Sequence, residues 1–171
     1  IRLAQLYRFR TLNVVRRPEQ IEELRRLGAD AVLLASGEPL PQQVARLAPQ
    51  GVRYAVDCVG GELGSQLLAA LAPQARCLIY GSLAEAPLQV DPRFLISTGL
   101  HIQGFWLARW LRQQNVLRLL RFFRSVRQLI QRGVLQSAIA AVYPLEQFRD
   151  ALDHAQRPGK GGKILLRITS R

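Results

Sequence analysis

Four short apolar runs recur in the first half of the chain, at Arg10–Val15, Ala31–Leu34, Val52–Val59 and Arg76–Tyr80. Helix-like segments separate them. Ile21, Leu24 and Leu27 repeat at a spacing of three, Gln42–Leu47 forms a brief second segment, and Leu63, Leu67, Leu68 and Leu71 line one face of a third over Glu62–Leu71. Gly28 ends the first, Pro49 and Gly51 the second, and Pro73 the third. Strands alternating with short helices predict an α/β fold, a Rossmann-like parallel sheet with helices on both faces.

The rhythm changes after Gly81. Ser82–Pro92 reads as a loop, and Arg93–Ser97 as one turn of helix. Leu100–Leu107 reads as an alternating strand whose exposed edge invites pairing with a second copy, so a homodimer is expected. The longest helix is predicted over Gln113–Arg132, with Leu119, Phe122, Phe123, Val126, Leu129 and Ile130 on one half. Arg118, Arg121, Arg124, Arg127 and Gln128 lie on the other, and Gly133 is its C-cap. A strand over Ala138–Tyr143, a helix over Leu145–Ala155 and a last strand over Lys163–Ile168 follow. Residues 1–133 read as a partial dinucleotide-binding domain and 134–171 as a return segment that packs on a further domain.

The turn after the first strand carries the sharpest chemical signal. Leu12-Asn13-Val14-Val15 leads into Arg16-Arg17-Pro18 and a helix. In dinucleotide-binding folds this strand ends at the adenosine ribose, where a carboxylate selects NAD and arginine accommodates the 2′-phosphate of NADP. Two guanidinium groups stand there, with no carboxylate before Glu19. Taken alone, the pair fits NADPH selection and also fits two solvated arginines at a strand end.

No G-x-G-x-x-G turn occurs; Gly60-Gly61 and Gly159–Gly162 have the wrong spacing. The chain opens inside a helix, Ile1–Tyr7, that leads directly to the arginine-bearing strand. A first strand and glycine turn are therefore expected upstream. In the strand order 3-2-1-4-5-6 that strand is central, so the sheet of this chain is expected to be split or rearranged.

With 171 residues the chain can bury a core, and it carries no run suited to a membrane helix and no signal-peptide pattern. A cytoplasmic location is expected. The formal charge of +12 comes from 24 basic and 12 acidic residues, with Lys160 and Lys163 the only lysines. The arginines are scattered, which argues for compositional bias over a nucleic-acid surface, although a basic module using Arg118–Arg127 is the competing class. Cys58, Cys77, His101 and His154 stand apart, so neither a metal site nor a disulfide framework is expected.

Four segments together resemble the zinc-free medium-chain dehydrogenase/reductases. They are Asn13-Val14-Val15-Arg16-Arg17-Pro18, Val56-Asp57-Cys58-Val59-Gly60-Gly61, Gly104-Phe105-Trp106-Leu107 with Trp110 close behind, and Gly162-Lys163-Ile164-Leu165-Leu166. The closest branch is the NADPH-dependent 2-enoyl thioester reductases. The resemblance implies that Arg16 and Arg17 hold the 2′-phosphate of NADPH. Tyr80, Gly81, Ser82 and Leu83 would line the nicotinamide side. Phe105, Trp106 and Leu107 would close over the nicotinamide ribose and border the acyl pocket, and Lys163 would reach a cofactor phosphate. The family carries one more residue between the two arginines than this chain does.

The implied chemistry is hydride transfer from NADPH to an enoyl thioester. A quinone is the substrate of the neighbouring branch. The family's tyrosine proton donor lies upstream, so no catalytic residue is assigned here, and this chain alone is expected to be inactive. Tyr80 also fits a hydrogen-bonded core aromatic, Phe105 and Trp106 fit simple packing, Lys163 fits a solvated residue, and Asp57 fits a loop-ordering role.

Overall fold

The computed structural model describes residues 1–157 and 159–168. Along the chain run α1 (Arg2–Tyr7), β1 (Leu12–Val15), α2 (Glu19–Arg26), β2 (Ala31–Leu34), α3 (Leu40–Leu47) and β3 (Val52–Asp57). Then come α4 (Gly61–Ala69), β4 (Leu71–Ile79), α5 (Pro92–Thr98), β5 (His101–Gly104), α6 (Leu107–Arg112) and α7 (Val116–Gln131). The chain closes with β6 (Ile139–Pro144), a short 3-10 turn, α8 (Phe148–Gln156) and β7 (Lys163–Arg167). Two compact units result, Ile1–Leu120 and Arg121–Arg171.

Every strand pair among the described residues is parallel, as the alternating pattern requires. The sheet is split. Among the described residues β1 pairs only with β2, and a separate sheet runs β3-β4-β5. β1 and β3 therefore each keep one unpaired edge, and on β3 Tyr54 is 74% and Val56 65% exposed. The two sheets nevertheless share a core. Leu33, Leu40 and Val44 are buried against Leu12 and Val14 of β1, Val52 of β3, and Leu63 and Leu67 of α4. A second cluster of Leu68, Leu71, Ala75 and Cys77 takes in Ala55, Ile79 and Leu100.

Local chemistry sets the connections. Glu19 and Glu22 occupy the first turn of α2 and Arg25 and Arg26 the last, both complementary to the helix dipole. Pro18 is its N-cap residue. The Asp91 side chain accepts a hydrogen bond from the Arg93 N–H at 2.8 Å and caps α5, and Gly99 at φ 62° ends it. Asp30 accepts from the Thr11 N–H at 2.8 Å and from its hydroxyl at 3.2 Å, which ties together the starts of β1 and β2.

Several sequence expectations need correction. The predicted helix Glu62–Leu71 is α4 and ends at Ala69; Leu71 and Pro73 belong to β4, which starts five residues before the predicted Arg76. Pro73 is tolerated because β4 bulges there. Between pairings Val52↔Leu71 and Tyr54↔Arg76, β4 advances five residues against two on β3. Gln74 takes φ 61° within this bulge, and its side-chain amide donates to the Thr98 carbonyl at 3.4 Å. The predicted strand Leu100–Leu107 is only His101–Gly104, and α6 follows it unforeseen. The single turn expected at Arg93–Ser97 is a seven-residue helix.

In the second unit β6 and β7 pair in parallel, with α8 as the crossover. The Tyr143 hydroxyl of β6 lies 2.9 Å from His154 Nδ1 on α8, with the rings edge to face.

Candidate cofactor site

The parallel register brings the ends of three strands into one row. Asp57 pairs with Ile79, and Ile79 with Gly104. The residues that follow, Cys58, Tyr80 and Phe105, therefore emerge together at the C-terminal edge of the sheet. Backbone hydrogen bonds continue the row, from Tyr80 N–H to the Asp57 carbonyl at 2.9 Å and from Phe105 N–H to the Ile79 carbonyl at 2.7 Å. The next loop is held as firmly, by Leu83 N–H to the Cys58 carbonyl at 3.2 Å and Ala84 N–H to the Val59 carbonyl at 2.8 Å. In open parallel sheets ligands bind outside this edge.

Asp57 organises the floor of this edge. It is 4% exposed, and its carboxylate accepts from the Val59 N–H at 2.8 Å and the Gly60 N–H at 3.2 Å. The tight turn at Gly60 (φ 68°) leads into α4. A Cβ on Gly64 would lie 2.7 Å from Asp57 Oδ2, so that glycine leaves room for the buried carboxylate. The loop-ordering reading of Asp57 is the one these contacts support. Its neighbour Gly81 is equally constrained, because a Cβ there would meet the Cys58 carbonyl oxygen at 2.8 Å.

The sequence-predicted residues fall into three places. Tyr80, Gly81, Ser82 and Leu83 sit with Phe105, Trp106 and Leu107 at the shared edge. Trp106 is 65% exposed and Leu107 51%, both beyond the strand, with Leu107 opening α6. Arg16 and Arg17 follow β1 at the same end of its own two-stranded sheet, and both are exposed. Neither guanidinium has a side-chain partner among the described residues. Lys163 opens β7 in the second unit, where its N–H donates to the Ala138 carbonyl at 2.7 Å and its side chain is exposed.

Two contacts at this edge escaped the sequence. The Cys58 side chain beside the Tyr80 hydroxyl, ahead of burial and the nearby charges of Cys58 and Asp57, holds the phenol above its ordinary range. The sequence signal was the equal distance of Cys58 and Tyr80 past two paired strands. The Arg112 guanidinium sits 5.7 Å from the centre of the Trp106 ring, a cation–π contact made possible by the unforeseen α6. A concavity of about 330 Å³ is lined by Arg53, Tyr54, Pro73, Gln74 and Arg76, away from the strand ends. Among the described residues no group of three or more His, Cys, Asp or Glu could hold a metal ion, and no helix is long and apolar enough to cross a membrane.

The sequence profile of the zinc-binding dehydrogenases matches residues 1–124. The chain belongs to that family. This dehydrogenase-family chain is 30% identical, over 171 residues, to the mitochondrial enoyl-[acyl-carrier-protein] reductase of Mus musculus, covering 97% of itself and 46% of that relative. It thus spans about half the length of its relatives. Among solved structures, a protein assigned as an NADPH:quinone reductase from Bacillus thuringiensis superposes with a TM-score of 0.89 at 28% identity, over 98% of this chain and 51% of that one. The mitochondrial 2-enoyl thioester reductase heterodimer of Candida tropicalis superposes at 0.80 with 20% identity, over 96% and 49% of the two chains, a likeness of fold. The dehydrogenase family's α/β cofactor-binding fold is therefore the architecture of this chain.

Proposed function

We propose that this chain is the cofactor-binding part of an NADPH-dependent oxidoreductase that reduces an enoyl thioester. The carrying observation is the Arg16-Arg17 pair, exposed and without a carboxylate partner among the described residues, at the C-terminal end of a parallel strand. That donor set suits a dianionic 2′-phosphate, because guanidinium binds phosphate oxygens in a planar fork. A 2′-hydroxyl would call for a carboxylate instead.

Bound NADPH supplies the hydride in this reading. The residues of the chain bind and orient. Arg16 and Arg17 hold the 2′-phosphate, and Tyr80, Gly81, Ser82 and Leu83 line the nicotinamide side. Phe105, Trp106 and Leu107 exclude water and border the acyl pocket, and Lys163 meets a cofactor phosphate. Residues 134–171 pack on the domain that provides the proton donor, and no residue of this chain takes that role. The working protein is a cytoplasmic homodimer joined along β5.

A quinone substrate is the second reading, favoured by the likeness to the Bacillus thuringiensis protein. Steady-state turnover of the full-length protein with NADPH, offered crotonyl-CoA or a benzoquinone, separates the two. Preference for the quinone would overturn the thioester reading. Binding of NADH as tight as NADPH would overturn the cofactor assignment.

A further inference from the structure

The cofactor site leaves one cleft without a task. It has a volume of about 330 Å³ and is lined by Arg53 and Tyr54 of β3 and by Pro73, Gln74 and Arg76 of β4. All five residues belong to the compact unit Ile1–Leu120. Tyr54 and Arg76 are paired across the two strands, so their side chains stand on one face of the sheet. Arg53 stands opposite the bulge, where β4 carries its extra residues. Arg76 precedes Tyr80 by four residues, as Tyr54 precedes Cys58. About 13 Å of strand therefore separates the cleft from the edge assigned to the nicotinamide.

The bulge is fixed from both sides. Gly51, at φ 75°, approaches it so closely that a Cβ there would lie 2.7 Å from the Ala72 Cβ. The Gln74 side-chain amide donates to the Thr98 carbonyl at 3.4 Å, and Gly99 leaves room for it. Gln74 itself holds φ 61°, a conformation uncommon outside glycine and concentrated where backbone is shaped around a ligand.

Charge says which ligand. Arg53 and Arg76 are exposed, and neither has a carboxylate partner among the described residues. No acidic residue lines the cleft. Two unpaired guanidinium groups balance a dianion. A phosphate monoester is close to doubly charged at neutral pH and accepts planar forks of donors, whereas a single carboxylate would leave one arginine unmatched. Tyr54, 74% exposed, offers a ring face on which an aromatic body can stack. The volume is at the low end for small-molecule pockets, and the charge is confined to one hollow and forms no stripe, which suits a small ester and not a polymer backbone.

We propose that Arg53, Tyr54 and Arg76 form a second ligand site, which takes a small aromatic phosphate monoester. The phosphate lies on the two guanidinium groups and the ring on Tyr54. The site is separate from the Arg16-Arg17 turn and does not depend on what that turn binds.

The test is calorimetric titration of the full-length protein with phenyl phosphate. Saturable binding is expected, weakened at least roughly ten-fold by R53Q/R76Q through the loss of charge-assisted hydrogen bonds. Y54A is expected to weaken it roughly five-fold or more through the lost stacking. R16A/R17A is expected to leave it unchanged. Should R53Q/R76Q not fold, R53Q and R76Q singly are each expected to weaken binding. Absence of saturable binding in wild type overturns the proposal, as does an affinity unchanged in the arginine variants or in Y54A. Loss of binding in R16A/R17A would put the phosphate at the cofactor turn and overturn it too. Succinate bound as tightly as phenyl phosphate would do the same, by removing the phosphate from the account.

Discussion

The carbonyl oxygen of Cys58 lies 2.8 Å from where a Cβ on Gly81 would stand, so the loop after β4 can run across the end of β3 only with glycine at that position. The clash is with backbone, which cannot swing aside. Gly81→Ala is expected to cost about 1–3 kcal/mol, the usual range for overpacking. Gly104, at the end of β5, has nothing within 4 Å of its Cβ position. Gly104→Ala is expected to fall within roughly 0.5 kcal/mol of wild type. Urea midpoints of the two variants check the contrast, and equal losses would show that the close approach at Gly81 is relaxed in solution.

Replacing Arg16 and Arg17 together by alanine is expected to weaken NADPH and spare NADH. Each charge-assisted hydrogen bond to the 2′-phosphate contributes on the order of 1.5–3 kcal/mol. Both side chains are exposed, so screening pulls the sum toward the low end. The result is roughly a ten- to few hundred-fold loss, at 1.4 kcal/mol per decade. Paired titrations with the two cofactors measure it. Equal weakening of both would make the arginines structural.

How far the sequence went is visible in β4 and α6. The parallel pairing, the arginine turn and the strand-edge residues Tyr80–Leu83 were legible, because alternating apolar segments and glycine stops encode them locally. Pro73 misled because a proline normally ends a helix or excludes a central strand; here a bulge absorbs it, and only the pairing of β4 with β3 reveals the bulge. Helix α6 stayed hidden because Phe105, Trp106 and Leu107 continue the alternation of β5, and Trp106 provides no side-chain cap. The Tyr80–Cys58 contact joins residues far apart in sequence that only the strand register aligns.

Asp30 gives a pH dependence. Hydrogen bonds from Thr11, the backbone N–H first, hold its carboxyl below the ordinary value. A depressed carboxyl binds fewer protons in the folded chain than in the unfolded one. Its contribution is therefore complete above the ordinary carboxylate range, near pH 4, and is lost as pH falls through the lowered folded value. Asp30→Asn is expected to lower the urea midpoint at neutral pH, with the difference from wild type closing toward pH 3. A difference that stays constant over that range would remove the ionised carboxylate from the account.

β5 lies at the edge of its sheet, and all four of its residues are exposed. Pairing with a second copy along this edge is expected to make the full-length protein a dimer by light scattering. Proline at Gln103 removes a backbone donor and is expected to shift the mass toward monomer. A monomer in wild type at all concentrations would count against it.

Tyr143→Phe removes the hydroxyl that meets His154 at 2.9 Å and keeps the edge-to-face rings. The expected cost is about 1 kcal/mol, one hydrogen bond between partly buried groups. A cycle with His154→Ala should show coupling of that order; strict additivity of the two substitutions would mean the pair contributes nothing.

The split sheet has a consequence for how the chain opens. β4 is flanked on both sides, by β3 and β5, whereas β1 has one neighbour over four residue pairs. Amide exchange measures this asymmetry directly, since an amide trades its proton for solvent deuterium only when its hydrogen bond breaks. The amides of Cys77 and Leu78, at the centre of the three-stranded sheet, should exchange only through global unfolding. Those of β1 and β2 should exchange through a local separation of the pair, taking Arg16 and Arg17 with them. The stretch that grips the phosphate is thus the first to come loose, and a ligand bound there would register as slowed exchange in two strands it scarcely touches.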